Sequence, residues 1–282
     1  MKIAFLGLGR MGRELAAHVI ADDHDLVVWN RSASATDELV EKGARRADTA
    51  TAAVAGAELV ITVLFGADAV RDVVTSADLI DPGVVWVDVT TVSPADADEF
   101  AAWAEGRGVR YAYSPVVGSL GPARRGELGV LLGGDPTAVE IAKPVVALWA
   151  DKSRMRYYDT PAKAATDKLV NNLSLAVAMQ GFVEALRLGH SGGLSTEQVI
   201  AALDKSMLSP IKDLKGTNVR SADFSETQFS ADLLVKDVGL MVYTSRHPLP
   251  ALTAAYEALQ GVVRTGRGEE DFAVIAAGDA PE

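Results

Sequence analysis

The sequence predicts an α/β fold, with a doubly wound, mostly parallel sheet in the first part of the 282-residue chain and helices alone in the second. Three observations carry this. Short β-branched runs alternate with alanine-rich amphipathic stretches as far as about Asp159, the rhythm of a parallel sheet covered by helices. Several of those runs are apolar on both faces, as strands between two helical layers are. After Pro161 the β-rich runs vanish and helical periodicity takes over. The length allows one large or two ordinary domains. The change of rhythm divides them into residues 1–160 and an all-helical 161–282 that begins with one long helix.

The first strand, Lys2 to Leu6, runs straight into Gly7-Leu8-Gly9-Arg10-Met11-Gly12 and then into a helix with Leu15, Ala16, Val19 and Ile20 on its apolar face. Strand, G-x-G-x-x-G loop and helix in this order are Rossmann-type. Gly7 permits the tight turn, Gly9 lets the backbone approach a pyrophosphate, and Gly12 lets the helix pack closely on the strand. The helix N-terminus then offers its unpaired amides to the phosphates. The second strand, Asp25 to Trp29, ends in Asn30-Arg31-Ser32. An NAD-specific fold places an acid there for the adenosine ribose hydroxyls. Here Arg31 can instead hold a 2′-phosphate through two parallel hydrogen bonds and Ser32 can add another, so NADP(H) is expected in preference to NAD(H).

Further strands are expected at Glu58 to Leu64, Val84 to Val89, Val109 to Tyr113, Leu128 to Leu132 and Arg154 to Tyr158. Helices begin near Met11, Ala35, Asp68, Pro94 and Pro136, the last two with proline in a helix-starting position. From Ala162 to about His190, Leu169, Leu173 and Val177 recur every four residues, and Ser191-Gly192-Gly193 closes the helix. Helices over Ser195 to Leu203, Ser230 to Arg246 and Ala251 to Thr265 follow, separated by breaks at Pro210, Gly216, Pro248 and Pro250.

Composition excludes several classes of function. Hydrophobic residues at 49% and charged residues at 23% are ordinary for a globular protein. No uninterrupted apolar run approaches the roughly 18 residues of a membrane span, and Arg10, Arg13 and Glu14 interrupt the apolar start, so a soluble cytoplasmic protein is expected. With no cysteine there is no disulfide, thiolate nucleophile or cysteine zinc site. His18, His24, His190 and His247 lack the short spacings of metal ligands, so catalysis without metal is expected. A net charge of -11 argues against nucleic acid as a partner. Gly118-Ser119-Leu120-Gly121 has its serine one place early for a nucleophile elbow, and Glu269-Glu270-Asp271 reads as solvated surface.

Four segments in order, Gly7 to Gly12, Val87-Asp88-Val89-Thr90-Thr91-Val92-Ser93-Pro94, Pro115-Val116-Val117-Gly118-Ser119 with Gly126-Glu127-Leu128 and Gly133-Gly134 behind it, and Lys168-Leu169-Val170-Asn171-Asn172, resemble the β-hydroxyacid dehydrogenase family. These are relatives of 3-hydroxyisobutyrate dehydrogenase and of glyoxylate and succinic semialdehyde reductases, and their first domain is of the 6-phosphogluconate dehydrogenase NADP-binding type. A weaker fifth segment, Phe229 to Lys236-Asp237, resembles the one whose lysine reaches the cofactor. The resemblance implies a cofactor held by Gly7, Leu8, Gly9, Arg10, Met11, Gly12, Asn30, Arg31, Ser32, Leu64, Phe65, Thr91 and Lys236, with Thr91 near the nicotinamide. It implies a small carbonyl or hydroxyacid substrate held by Val117, Gly118 and Ser119 in a cleft between the domains. It also implies a homodimer or homotetramer formed through the helical domain.

Lys168 and Asn172 have a physical case of their own. Four residues apart on a helix, they share a face, so an ammonium and an amide converge on one substrate oxygen. As hydride arrives at carbon, Lys168 donates the proton and the Asn172 amide stabilises the developing alkoxide. Two departures from the family pattern stand out. Val117 puts an isopropyl group where the family has a serine hydroxyl for the substrate carboxylate, and Ala162 and Ala164 replace glycines before the lysine. Two rival readings are an NADPH-dependent imine reductase, for which Val117 speaks, and a non-catalytic NADP-binding module.

Overall fold

The structure, a computed structural model, describes residues 1–280 and divides into two compact units, the first Met1–Lys168 and the second beginning at Leu169. In the first unit the strands are β1 (Lys2–Leu6), β2 (Asp25–Trp29), β3 (Arg45–Arg46), β4 (Leu59–Thr62), β5 (Val85–Asp88), β6 (Arg110–Tyr113), β7 (Val116–Val117), β8 (Leu128–Gly134) and β9 (Ala150–Tyr158). They form one nine-stranded sheet in the order β3-β2-β1-β4-β5-β6-β8-β7, with β9 also on β8. Neighbours from β3 to β6 are parallel. β8 runs antiparallel to β6 and β7 and parallel to β9. Strand order reverses between β1 and β4, so a crevice for a ligand opens outside their carboxyl ends.

Helices α1 (Arg10–Ala21), α2 (Asp37–Glu41), α3 (Ala50–Val54), α4 (Ala67–Val70), α5 (Pro94–Arg107), α6 (Leu120–Arg125) and α7 (Pro136–Val146) cover the sheet. Alternation along the strands decides which side chain meets which layer. Ile3 and Phe5 of β1 pack with Leu15 and Val19 of α1 and Ala142 of α7. Ala4 and Leu6 face the other way, with Val70 of α4 and Phe100 of α5. On that side Trp86 meets Phe100, Trp103 and Tyr111 at ring-centroid distances of 6.0, 5.8 and 4.7 Å. α5 starts on a capping box, in which Ser93 and Asp96 satisfy each other's backbone amides, with Pro94 just inside it.

The long helix α8 (Pro161–Ser191) starts where the sequence indicated. The first unit keeps its first two turns, because Ala164 and Ala165 are buried with Trp86 and Phe100. The division between the compact units therefore falls at Lys168, inside the helix. By length and composition α8 is long and apolar enough to cross a membrane. Its apolar side chains have another use: Leu169, Ala176, Met179, Phe182, Val183 and Leu186 form the core of the second unit.

They pack there with α9 (Thr196–Ala202), α10 (Ser209–Ser221), α11 (Ala231–Thr244), α12 (Pro250–Arg264) and a 3-10 helix at Phe272–Asp279. α10 spans the stretch read as broken by Pro210 and Gly216. Pro210 lies in its first turn, where a missing amide costs nothing. The acidic triplet also differs from expectation. Asp271 is fully buried and accepts from Lys215 Nζ at 2.8 Å and from the Gln228 and Ala273 amides at 3.0 and 3.1 Å. Glu270 pairs with Arg267 at 2.7 Å, and that hydrogen bond holds its carboxyl below the usual carboxylate range.

Candidate active site

The glycine loop answers directly whether a dinucleotide fits. Gly7 sits at φ +100°, and a Cβ on it would meet Val63 O at 2.2 Å; a Cβ on Gly12 would meet Gly7 O at the same distance. Both are glycines because the turn and the helix contact leave no room. Gly9 has nothing within 4 Å of where its Cβ would stand, so the space above it is open for a ligand. It also occupies the N-cap of α1 without any side-chain cap, which leaves the first amides of the helix to an incoming anion. Pyrophosphate fits this site.

Asn30 fixes the loop: its Oδ1 accepts from Leu8 N at 2.9 Å, while its Nδ2 donates to Ser32 O at 3.0 Å. Arg31 and Ser32 are exposed, and Arg31 pairs with no acid among the described residues. Leu64 and Phe65 leave the end of β4, Phe65 standing 59% exposed, and Thr91 lies half-buried in the loop after β5. All these predicted residues lie at the carboxyl ends of β1, β2, β4 and β5, on one edge of the sheet.

Beneath that edge lies Asp88, fully buried. Its Oδ1 accepts from the Thr62 hydroxyl at 2.7 Å and from Thr90 N at 3.0 Å. Burial raises its carboxyl to about 6, against the pull of these hydrogen bonds. In the sequence this aspartate stands inside the second matching segment, at the end of a strand apolar on both faces.

The predicted substrate residues sit further along the sheet. Val117 pairs with Gly129 across β7 and β8 and is half-buried. Gly118 has φ +138°, and a Cβ there would come within 2.7 Å of Leu128 Cδ2. Ser119 stands at the N-cap of α6 with its hydroxyl capping nothing. His18 Nε2 against Ala123 O at 2.7 Å and Arg124 with Glu14 at 3.0 Å tie α6 to α1.

On α8, Lys168 is 9% and Asn172 6% exposed, one turn apart. Asn172 Nδ2 donates to Asp237 Oδ2 at 2.6 Å, and Lys236 Nζ lies 2.8 Å from Asp237 Oδ1. One buried carboxylate on α11 thus holds both predicted residues of the helical unit, Asn172 and Lys236. The sequence reading passed over Asp237 as a site residue, although it stands inside the fifth matching segment.

A family model for the NAD binding domain of 6-phosphogluconate dehydrogenase matches residues 2–158, and one for the NAD-binding of NADP-dependent 3-hydroxyisobutyrate dehydrogenase matches residues 162–277. The chain belongs to the β-hydroxyacid dehydrogenase family. Among its relatives, the NAD-dependent L-serine dehydrogenase of Pseudomonas aeruginosa is 31% identical, over 97% of this chain and 96% of that one. The crystal structure of 3-hydroxyisobutyrate dehydrogenase from Salmonella typhimurium is 25% identical with a TM-score of 0.86, covering 98% and 99% of the two chains. The imine reductase of Streptomyces aurantiacus shares the fold at 21% identity and a TM-score of 0.68, over 98% of each chain. As a β-hydroxyacid dehydrogenase, the protein is an NAD(P)-dependent oxidoreductase acting on CH–OH groups of small molecules.

Proposed function

We propose that this β-hydroxyacid dehydrogenase prefers NADP(H) and interconverts a small β-hydroxyacid with its aldehyde or ketoacid, with Lys168 as general acid and base. The observation that carries the reading is the pairing on α8: a buried lysine one turn from a buried amide whose orientation Asp237 fixes. Bound nicotinamide supplies or accepts the hydride. In reduction, Lys168 Nζ gives a proton to the carbonyl oxygen while Asn172 Nδ2, held by Asp237, faces the growing negative charge. In oxidation the lysine takes the proton back.

Gly7 to Gly12 with Asn30 would hold the pyrophosphate, Arg31 and Ser32 the 2′-phosphate, and Leu64, Phe65, Thr91 and Lys236 the rest of the cofactor. The Ser119 hydroxyl and the backbone at Gly118 would hold the substrate. Val117 carries the second reading, a cyclic imine as substrate, since its isopropyl group gives a carboxylate no hydrogen bond. A homodimer or homotetramer through the helical unit is supported by its exposed apolar side chains, with Leu188 at 77%, Met207 at 96% and Tyr243 at 79%. A cytoplasmic location fits a net charge of -11 and the absence of cysteine.

The test is Lys168→Ala assayed on a panel of aldehydes, ketoacids and cyclic imines by NADPH absorbance. Turnover of a hydroxyacid pair should fall by roughly 10²- to 10⁴-fold while NADPH binding survives. Wild-type turnover of cyclic imines alone would reverse the order of the two readings, and an unchanged rate in Lys168→Ala would remove the acid–base role.

A further inference from the structure

The buried carboxylate at the end of β5 has no countercharge among the described residues. No lysine, arginine or histidine among them reaches Asp88; around it stand Thr62, Thr90 and Tyr111, whose hydroxyl lies 3.5 Å from Oδ2. Keeping an unpaired carboxylate inside a core is costly, and an apolar side chain of similar volume would fill the same space without that cost. Stability does not account for this residue.

What the carboxylate holds does account for it. Asp88 Oδ1 accepts from the Thr90 amide at 3.0 Å and so fixes the backbone that carries the Thr90 side chain. Thr90 Oγ1 in turn accepts from Leu64 N at 3.0 Å. Thr90 O accepts from the Tyr113 hydroxyl at 2.9 Å, and that hydroxyl accepts from Val92 N at 3.3 Å. Thr62 is likewise held on both sides, by Asp88 and by Trp86 Nε1 at 2.9 Å. Leu64 is followed by Phe65, and Thr90 by Thr91. The Thr90 hydroxyl therefore joins the loop after β4 to the loop after β5, and Asp88, through the Thr90 amide, holds the residue that carries that hydroxyl.

We propose that Asp88 is a positioning residue whose carboxylate, acting through Thr90, locks the Leu64-Phe65 and Thr91 loops at the separation that receives the dinucleotide. This rests on the cofactor reading above. Asp88 itself touches neither cofactor nor substrate; it acts through Thr90.

The test compares Thr90→Val, which keeps the shape and loses the hydroxyl, with Thr90→Ser, which keeps the hydroxyl, and adds Asp88→Asn. In cofactor-free protein, hydrogen exchange at the Leu64 amide should be slow in wild type and Thr90→Ser and about tenfold faster in Thr90→Val and Asp88→Asn, as the loss of one buried hydrogen bond implies. NADPH affinity by fluorescence titration should weaken about tenfold in the same two variants, with kcat at saturating cofactor changed less than about threefold. Thr90→Val with wild-type exchange and affinity overturns the inference. Equal losses in Thr90→Val and Thr90→Ser also overturn it, because packing rather than the hydroxyl would then be responsible. If wild type binds neither NADPH nor NADH, the cofactor reading itself falls, an outcome distinct from either of those. Should Asp88→Asn not fold, the two Thr90 variants decide alone.

Discussion

Among the described residues Arg31 is a guanidinium with no acid to hold it, at the one place where a dinucleotide fold distinguishes its two cofactors. If it reads the 2′-phosphate, Arg31→Ala loses a charge-assisted contact present only with NADPH. The NADPH KM should rise about tenfold and the NADH KM should stay within about twofold. Equal effects on both cofactors would show that Arg31 is only a neighbour of the site. Val117 makes a converse prediction. Val117→Ser supplies the missing hydroxyl, so kcat/KM for small 2- or 3-hydroxyacids should improve by about tenfold, the worth of one good hydrogen bond to a charged group. No gain would mean that Ser119 and the loop backbone already bind the carboxylate. At this scale the sequence was legible wherever the chemistry is local. The glycines lie within one turn, and Lys168 and Asn172 share a face because the helix repeats every 3.6 residues. Asp237 was not legible as the partner of Asn172, because the two meet across 65 residues of chain, and the Asn30 clamp on Leu8 spans 22.

The strand-to-helix element around the glycine loop separates folding from binding. Gly12→Ala places a methyl 2.2 Å from the backbone oxygen of Gly7 and should destabilise the first unit by about 2–4 kcal/mol, because neither partner can move without shifting β1 or α1. Gly9→Ala meets nothing in the protein. Its unfolding free energy should change by less than about 1 kcal/mol while cofactor affinity falls at least about tenfold. Urea unfolding beside NADPH titration of both variants checks the pair, and a Gly9→Ala protein that binds NADPH normally would move the pyrophosphate elsewhere. The same contrast explains which elements were legible. Lys2–Leu6 and Asp25–Trp29 appear at their expected bounds, because apolar runs closed by turn residues leave little choice. The two-residue strands at Arg45–Arg46 and Val116–Val117 have no pattern to read; β3 exists only because β2 is there to pair with it. Helix α10 was missed for the opposite reason. Its Pro210 is a breaker in a helix interior and a starter at a first turn, and only the position of Leu208, the N-cap, tells the two apart.

For the whole molecule, the unpaired Asp88 carboxylate leaves a signature in the pH dependence of stability. Its carboxyl is raised to about 6 when folded and lies near 3.9 in an unfolded chain. Between those values the folded protein keeps a proton that the unfolded chain has released, so this group makes stability fall as pH rises through the interval and leaves it flat above about 6. Carboxylates lowered by a partner, such as Glu270 beside Arg267, have the opposite sign and lose stability as pH falls below the ordinary range. Those are shared by wild type and Asp88→Asn, so the difference between the two proteins isolates Asp88. Between pH 7.5 and 5.2, the lower value still above the isoelectric point of 4.9, wild type should gain about 1 kcal/mol on the variant. The chain offers a suitable probe. All four tryptophans, Trp29, Trp86, Trp103 and Trp149, lie in the first unit, so their fluorescence follows its unfolding in urea without a contribution from the helical unit. A stability gap between wild type and Asp88→Asn that is the same at both pH values would mean that Asp88 titrates like a solvated carboxylate. The core beneath the proposed cofactor edge would then be wet.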